Sequence, residues 1–372
     1  MYRDAFLQNR LRQREDQDAL RRLYLPAGQI DFASNDYLGL VKHARLHADA
    51  SAASGATGSR LLSGNSLLAE ELEATIAAFH KAPAALLFNS GYDANLGLLS
   101  AVPAKSDTIL FDQLSHASLR DGIRLSLAKS LSFAHNDLAD LRKKMQHASG
   151  TVFIVTESVF SMDGDTCPLK DLVAISEETG AHLIIDEAHA TGVIGSAGEG
   201  LVQCLGLEEK IFARIHTFGK ALGCHGAVVL GSVQLKTYLL NFARSLVYTT
   251  ALPPHSLSLI RESYRQFPAM QQERTQLSKL AKMVASWEIP YQTLPSETAI
   301  QAIIVPGNAY VRQLAAYLQG QGFEIRPILY PTVPKDTERL RLVLHAYNEP
   351  EELVHLQKAL WQFSKAENRS IG

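Results

Sequence analysis

In the run Leu183-Ile184-Ile185-Asp186-Glu187-Ala188-His189, three apolar residues give way to two acids and, three positions after Asp186, a histidine. Ligands of parallel sheets sit beyond the carboxyl ends of the strands, so an acid at such an end is placed to face one. Two acids and a histidine also suggest a metal, but no His-Glu-x-x-His spacing and no third nitrogen ligand accompany them, and no metal is expected. The next such segment ends in His216-Thr217-Phe218-Gly219-Lys220. A lone lysine is nearly always a solvated surface charge. Here Thr217 and Gly219 precede it at the end of a buried strand, where partial desolvation favours the nucleophilic amine. An aspartate on one strand with a lysine beyond the next is what pyridoxal phosphate requires. The carboxylate pairs with the protonated pyridine nitrogen and keeps the ring an electron sink, while the lysine holds the aldehyde and moves protons at an amino acid's α-carbon.

Two further clusters suit the same group. Phe88-Asn89-Ser90-Gly91-Tyr92-Asp93-Ala94-Asn95 reads as a strand end, a Ser-Gly turn and a helix start, whose free amides can accept a phosphate without a basic side chain. Asp112-Gln113-Leu114-Ser115-His116-Ala117-Ser118 sets a histidine just past another strand, where a flat imidazole can stack on a ring or serve only the structure.

These residues need a sheet to hold them. From about residue 84 to 230, short apolar runs alternate with helical patterns: Ala84 to Phe88, Thr108 to Phe111, Val152 to Thr156, Leu183 to Ile185, Ile211 to His216 and Ala227 to Leu230. This predicts βα units on a mostly parallel central sheet with helices on both faces. The unbroken Leu183-Ile184-Ile185 predicts a strand near the sheet centre. After Ala251-Leu252-Pro253-Pro254 a long helical stretch leads into strand, helix and strand segments, so a smaller α+β C-terminal domain is expected. The expected divisions are an N-terminal arm over 1–45, a large cofactor-binding domain over 46–255 and the small domain over 256–372. Asn348 reads as the cap of a last helix, with Glu351 at its third position and Leu353, Leu356 and Leu360 along one face.

The chain has 372 residues, 46% of them hydrophobic, enough for two packed units. A formal charge of -2 gives no electrostatic case for nucleic acid or an anionic membrane, and no run reaches the roughly 20 apolar residues of a membrane helix. The start, Met1 to Arg22, lacks the apolar core of a secretory signal. Cys167, Cys204 and Cys224 are odd in number and widely spaced, which reads as reduced thiols in a cytoplasmic protein with small-molecule substrates.

Taken together, and with Ser34-Asn35-Asp36-Tyr37-Leu38-Gly39-Leu40, Gly58-Ser59-Arg60-Leu61-Leu62-Ser63-Gly64-Asn65, Asp121-Gly122-Ile123-Arg124-Leu125-Ser126 and Val159-Phe160-Ser161-Met162-Asp163-Gly164-Asp165, the sequence resembles the α-oxoamine synthases over nearly its whole length. The resemblance implies a fold-type-I pyridoxal-phosphate transferase that joins an amino acid to an acyl thioester carried on coenzyme A or acyl carrier protein. It makes Lys220 the Schiff-base lysine, Asp186 the pyridine-nitrogen partner, His189 a donor to the ring hydroxyl and His116 the stacking residue, also in reach of substrate. Ser161 and Thr217 match cofactor contacts, Ser90, Gly91 and Tyr92 the phosphate-side turn, and Glu157 a polar active-site acid. Arg21, Thr332 and Arg341 match substrate contacts, Arg341 as the carboxylate grip, a role suited to a bidentate guanidinium. The family also implies a homodimer, for which Thr249 and Thr250 are candidates to complete the neighbour's phosphate pocket. An aminotransferase or lyase on the same fold, or a non-catalytic subunit, remains open at this point; the latter has no need of Lys220.

Overall fold

The computed structural model describes residues 4–370 apart from position 26, and side chains as far as residue 366. The first three residues of the expected arm and the last two of the chain lie outside the described residues. Two compact units are present. The larger comprises Asp36–Ser161 and Thr166–Arg274, and the smaller gathers the chain up to Asn35, the stretch Met162–Asp165 and everything from Thr275 on.

After a two-residue strand β1 (Ile30–Asp31), the larger unit contributes β2 (Ala84–Phe88), β3 (Thr108–Asp112), β4 (Lys129–Phe133), β5 (Val152–Glu157), β6 (His182–Asp186), β7 (Ala213–Thr217) and β8 (Ala227–Gly231). They form one sheet in the order β2-β8-β7-β6-β5-β3-β4. Only β8 runs against its neighbours; β3 to β7 are mutually parallel and β2 points with them. The apolar run of β6 is explained by its place at the middle of this order. Leu183 and Ile185 pack into one core and Ile184 into another, so neither face of the strand meets water. Strand β4 lies at the sheet edge with Phe133 its only buried residue, and for that reason it shows no apolar run in the sequence.

The division between units falls after Arg274, not near 255. The helix Pro254–Gln266 stays with the larger unit because Tyr264, and Phe267 just beyond it, pack edge-on against Phe79 with ring centroids 5.6 and 5.3 Å apart. The 2.7 Å ion pair of Arg45 with Glu273 adds to the same side.

In the smaller unit, β9 (Gln292–Thr293), β10 (Ile300–Ile304), β11 (Phe323–Glu324), β12 (Arg326–Ile328) and β13 (Arg339–Val343) are joined by the helix Asn308–Gly320 and closed by the helix Pro350–Ser370. An antiparallel sheet runs β12-β13-β10-β9, and β11 pairs with β1. Leu353, Leu356 and Leu360 are all fully buried, as the spacing predicts. The helix begins at Pro350, however, so Glu352 and not Glu351 takes the third position. Its carboxylate accepts from the Glu349 amide and from Asn348 Nδ2.

Candidate active site

Because β2, β3, β5, β6 and β7 point the same way, their carboxyl ends open on one rim of the larger sheet. That rim receives Ser90 and Gly91 after β2, His116 after β3, Glu157 as the last residue of β5, Asp186 as the last of β6, and Thr217 as the last of β7 with Lys220 just beyond. Glu157 stands beside Asp186 in the register of β5 and β6, and Asp186 beside Ile215.

Asp186 is buried, and both of its oxygens are engaged. The Ala188 amide donates to Oδ1 at 2.9 Å, and Asn95 Nδ2 donates to Oδ2 at 2.7 Å. Asn95 comes from the helix Gly91–Ala101, which Ser90 caps by accepting from the Asp93 amide. The second Nδ2 hydrogen of Asn95 goes to Ser118 Oγ at 2.9 Å, and Ser118 Oγ lies 2.7 Å from His116 Nδ1. His116 is itself the cap of the helix Ala117–Leu125, with Nδ1 accepting from the Ser118 amide at 3.2 Å. This holds the ring at the helix start.

The Glu157 carboxyl accepts from the His116 amide at 2.6 Å. Burial, and next the Asp186 carboxylate, push Glu157 well above the usual carboxylate range. Burial chiefly, with help from the Lys220 charge, pulls His116 below the usual imidazole value, while Asp186 opposes the shift. The site therefore shifts Glu157 toward its protonated form and His116 toward the neutral ring.

Thr217 Oγ1 is buried and makes no hydrogen bond, which is costly unless something else fills the place. Opposite it, a Cβ on Gly91 would come within 2.4 Å of Thr217 Cγ2, so only glycine lets the helix start approach β7 this closely. Helix geometry leaves the first amides, those of Gly91 and Tyr92, without intrahelical partners. Tyr92 is exposed, and its hydroxyl donates to Asp121 at 2.5 Å. Asn89 Nδ2 donates to Thr249 Oγ1 at 3.0 Å and to the Thr250 carbonyl at 2.8 Å, which brings both threonines to the same turn. His189 is buried with Nδ1 2.7 Å from the Tyr37 hydroxyl. Lys220 is partly buried, and Ser161 is partly buried just past the Val159 to Thr166 bridge.

Three expected substrate residues belong to the smaller unit. Arg21 Nη2 donates to Thr332 Oγ1 at 3.3 Å, so two positions far apart in sequence meet. Arg341 sits on β13, an interior strand between β12 and β10, and Nη2 donates to Asn35 at 2.9 Å.

The rim fits pyridoxal phosphate. A fixed buried carboxylate, a ring-shaped flat side chain, an orphaned hydroxyl, a lysine and an amide-bearing helix start with a glycine cradle are the parts that group needs. The sequence reading missed Asn95, Ser118 and Tyr37. Asn95 falls one turn into an amphipathic helix, where a polar residue reads as solvent-facing. Its only signal is that it shares the face of the buried Ala94 and Leu98.

Comparison with known proteins agrees with the rim. The family model for aminotransferase class I and II matches residues 27–360. The chain is 42% identical to 8-amino-7-oxononanoate synthase of Emericella nidulans over 93% of this chain and 92% of that one. It is 41% identical to the enzyme of the same name from Lysinibacillus sphaericus, covering 87% and 85%. Among solved structures, Sphingomonas wittichii serine palmitoyltransferase superposes with a TM-score of 0.88 at 26% identity, covering 98% of this chain and 99% of that one. The 8-amino-7-oxononanoate synthase of Francisella tularensis gives a TM-score of 0.77 at 28% identity, covering 92% and 100%.

Proposed function

Since the chain belongs to the class I and II aminotransferase family and, within it, to the α-oxoamine synthases, we propose that it carries out the 8-amino-7-oxononanoate synthase reaction of biotin biosynthesis. In that reaction L-alanine condenses with a pimeloyl thioester, and the thiol and carbon dioxide are lost. The observation that carries the reading is the buried Asp186 carboxylate, fixed at a strand end with the Thr217 to Lys220 turn on the adjacent strand.

Bound pyridoxal phosphate supplies a ring that withdraws electrons from the α-carbon of an amino acid held on its aldehyde carbon. The residues then divide the work. Asp186 holds a proton on the pyridine nitrogen. Lys220 would hold the aldehyde of the cofactor, and its amine would take and return a proton at the amino acid's α-carbon. His116 would stack on the ring, and His189 would donate to its hydroxyl. Thr217 and Ser161 supply hydroxyls, and the turn at Ser90, Gly91 and Tyr92 takes the phosphate. Glu157, whose burial favours its protonated form, adds hydrogen bonding beside Asp186. Arg341 grips a substrate carboxylate bidentately, and Arg21 with Thr332 serves the substrate side.

A homodimer completes the proposal. Thr250 and Tyr248 are exposed beside the phosphate-side turn, as are the large apolar residues Leu62, Leu67 and Leu127 elsewhere on the larger unit. Such a surface suits a second copy, with Thr249 and Thr250 reaching the neighbour's phosphate. A cytoplasmic setting with the three cysteines kept as thiols belongs to the same reading. The test is mass spectrometry of products after incubation with alanine, glycine or serine and a series of acyl thioesters on coenzyme A and on acyl carrier protein. A product from alanine and the pimeloyl thioester supports the proposal. Turnover only with glycine or serine assigns the chain to another reaction of the family, and amino transfer to a keto acid overturns the proposal.

A further inference from the structure

We infer that Asn95 and Ser118 are positioning residues that lock the Asp186 carboxylate and the His116 ring together and fix His116 as the tautomer protonated on Nε2. The inference follows from the direction of each hydrogen bond. A carboxylate only accepts, so the Asn95 atom 2.7 Å from Asp186 Oδ2 must be the amide nitrogen. The two hydrogens on that nitrogen are then both used, one on Asp186 and one on Ser118 Oγ at 2.9 Å. Ser118 Oγ accepts from Asn95 and lies 2.7 Å from His116 Nδ1, and because the Ser118 amide can only donate to that nitrogen, the hydroxyl hydrogen is directed there too. The Ser118 amide donates to the same Nδ1 at 3.2 Å. With two donors converging on it, Nδ1 carries no proton, and the neutral ring holds its hydrogen on Nε2.

A second observation separates this from an ordinary packed asparagine. Asn95 Oδ1 is buried without a partner, and Asn95 itself is 1% exposed. Leaving an amide oxygen dry and unpaired costs about as much as a lost hydrogen bond, a cost the fold bears while both Nδ2 hydrogens face Asp186 and Ser118. The consequence for the reaction rests on the reading that Asp186 and His116 flank the cofactor ring. The tautomer rests on the hydrogen bonds alone.

The experiment uses the cofactor-loaded protein with ¹⁵N-labelled histidine, His116 being assigned by difference against His116→Asn. Expected for the wild type is an unprotonated Nδ1 and a protonated Nε2 that persists below the ordinary imidazole range. In Ser118→Ala, where only the backbone amide still donates to Nδ1, the preference for the Nε2-protonated tautomer should weaken and the His116 titration should move up, while the pH dependence of the cofactor absorbance stays in place. In Asn95→Leu, both the His116 signal and the cofactor absorbance titration should move. Loss of a hydrogen bond to a charged group predicts a fall in kcat of roughly 10- to 100-fold there, with KM for the amino acid little changed. Ser118→Thr, which keeps the hydroxyl, should restore the wild-type histidine signal. A proton on Nδ1 in the wild type, or a Ser118→Ala protein that shifts the cofactor absorbance as far as Asn95→Leu does, overturns the inference. If the protein bound no pyridoxal phosphate, the functional reading would fail, yet the histidine spectra would still decide the tautomer.

Discussion

Asp186 and Lys220 stand on adjacent strand ends, and their replacement should separate binding from chemistry. Asp186→Asn keeps the shape and the Ala188 and Asn95 neighbours but loses the charge that retains the pyridine proton, so the protein should bind cofactor and lose most turnover. Near wild-type turnover would remove Asp186 from the mechanism. Lys220→Ala should fold normally and lose a factor of at least roughly 10² to 10⁴ in rate, the usual worth of a positioned acid and base. Borohydride reduction of the wild type, followed by peptide mapping, should find the cofactor on Lys220; capture on any other lysine sinks the assignment. These residues were legible because each follows an apolar run at a strand end, where residue type and place agree. Asn95 and Ser118 were not, since Asn95 meets Asp186 and Ser118 only across elements distant in sequence. Glu157 was expected to be a polar acid, but its raised proton affinity follows from its burial and next from the nearness of Asp186, which only the fold and the register of β5 and β6 supply.

Elements meet at the rim through close contacts that can be tested in pairs. Gly91→Ala would drive its Cβ to within 2.4 Å of Thr217 Cγ2, so the helix Gly91–Ala101 should shift and cofactor affinity should drop. Adding Thr217→Ser removes that methyl and keeps the hydroxyl, and the double variant should regain most of the affinity by equilibrium titration. Failure to regain any would mean that the strain lies in the backbone. Glu187 gives a second test. Its buried carboxylate accepts from the Leu201 and Val202 amides at 2.8 Å each, and burial, the largest cause, raises it from 4.5 to about 7. The folded protein therefore holds this proton where the unfolded chain has released it. Stability from this group is fully present below pH 4.5 and is lost as pH rises to about 7, on the order of 3 kcal/mol in all. Denaturant titrations from pH 5 to pH 8 should show the decline, and Glu187→Gln should flatten it. An unchanged slope in that variant would place the titration elsewhere. At this scale strand existence was legible from apolar runs. The edge strand β4 was hidden by its polar exposed residues, and the last helix began one position later than expected because Pro350 takes its first place.

For the whole molecule, the proposed homodimer predicts complementation. Lys220→Ala subunits and subunits altered at both Thr249 and Thr250 should each be inactive alone and should regain activity when mixed and allowed to exchange. A fully active monomer at low concentration would rule out a shared site. The division of the chain was legible in outline, but its place was not. The change of texture after Pro254 marks a helix whose aromatic neighbours bind it to the larger unit, and only the Phe79, Tyr264 and Phe267 contacts reveal that.

The common direction of all strands of the larger sheet but β8 also bears on how such a chain can vary through descent. Turns at the amino ends of the strands, such as those at Gly150 and Gly180, carry none of the site residues, and the space around Gly180 is open where a side chain would go. Lengthening or cutting the chain at Gly180 is an experiment that inheritance can repeat cheaply, whereas each change at the opposite rim is tried directly against catalysis. Insertions at Gly180 should therefore leave turnover in place, whereas insertions in the turns of the opposite rim should not.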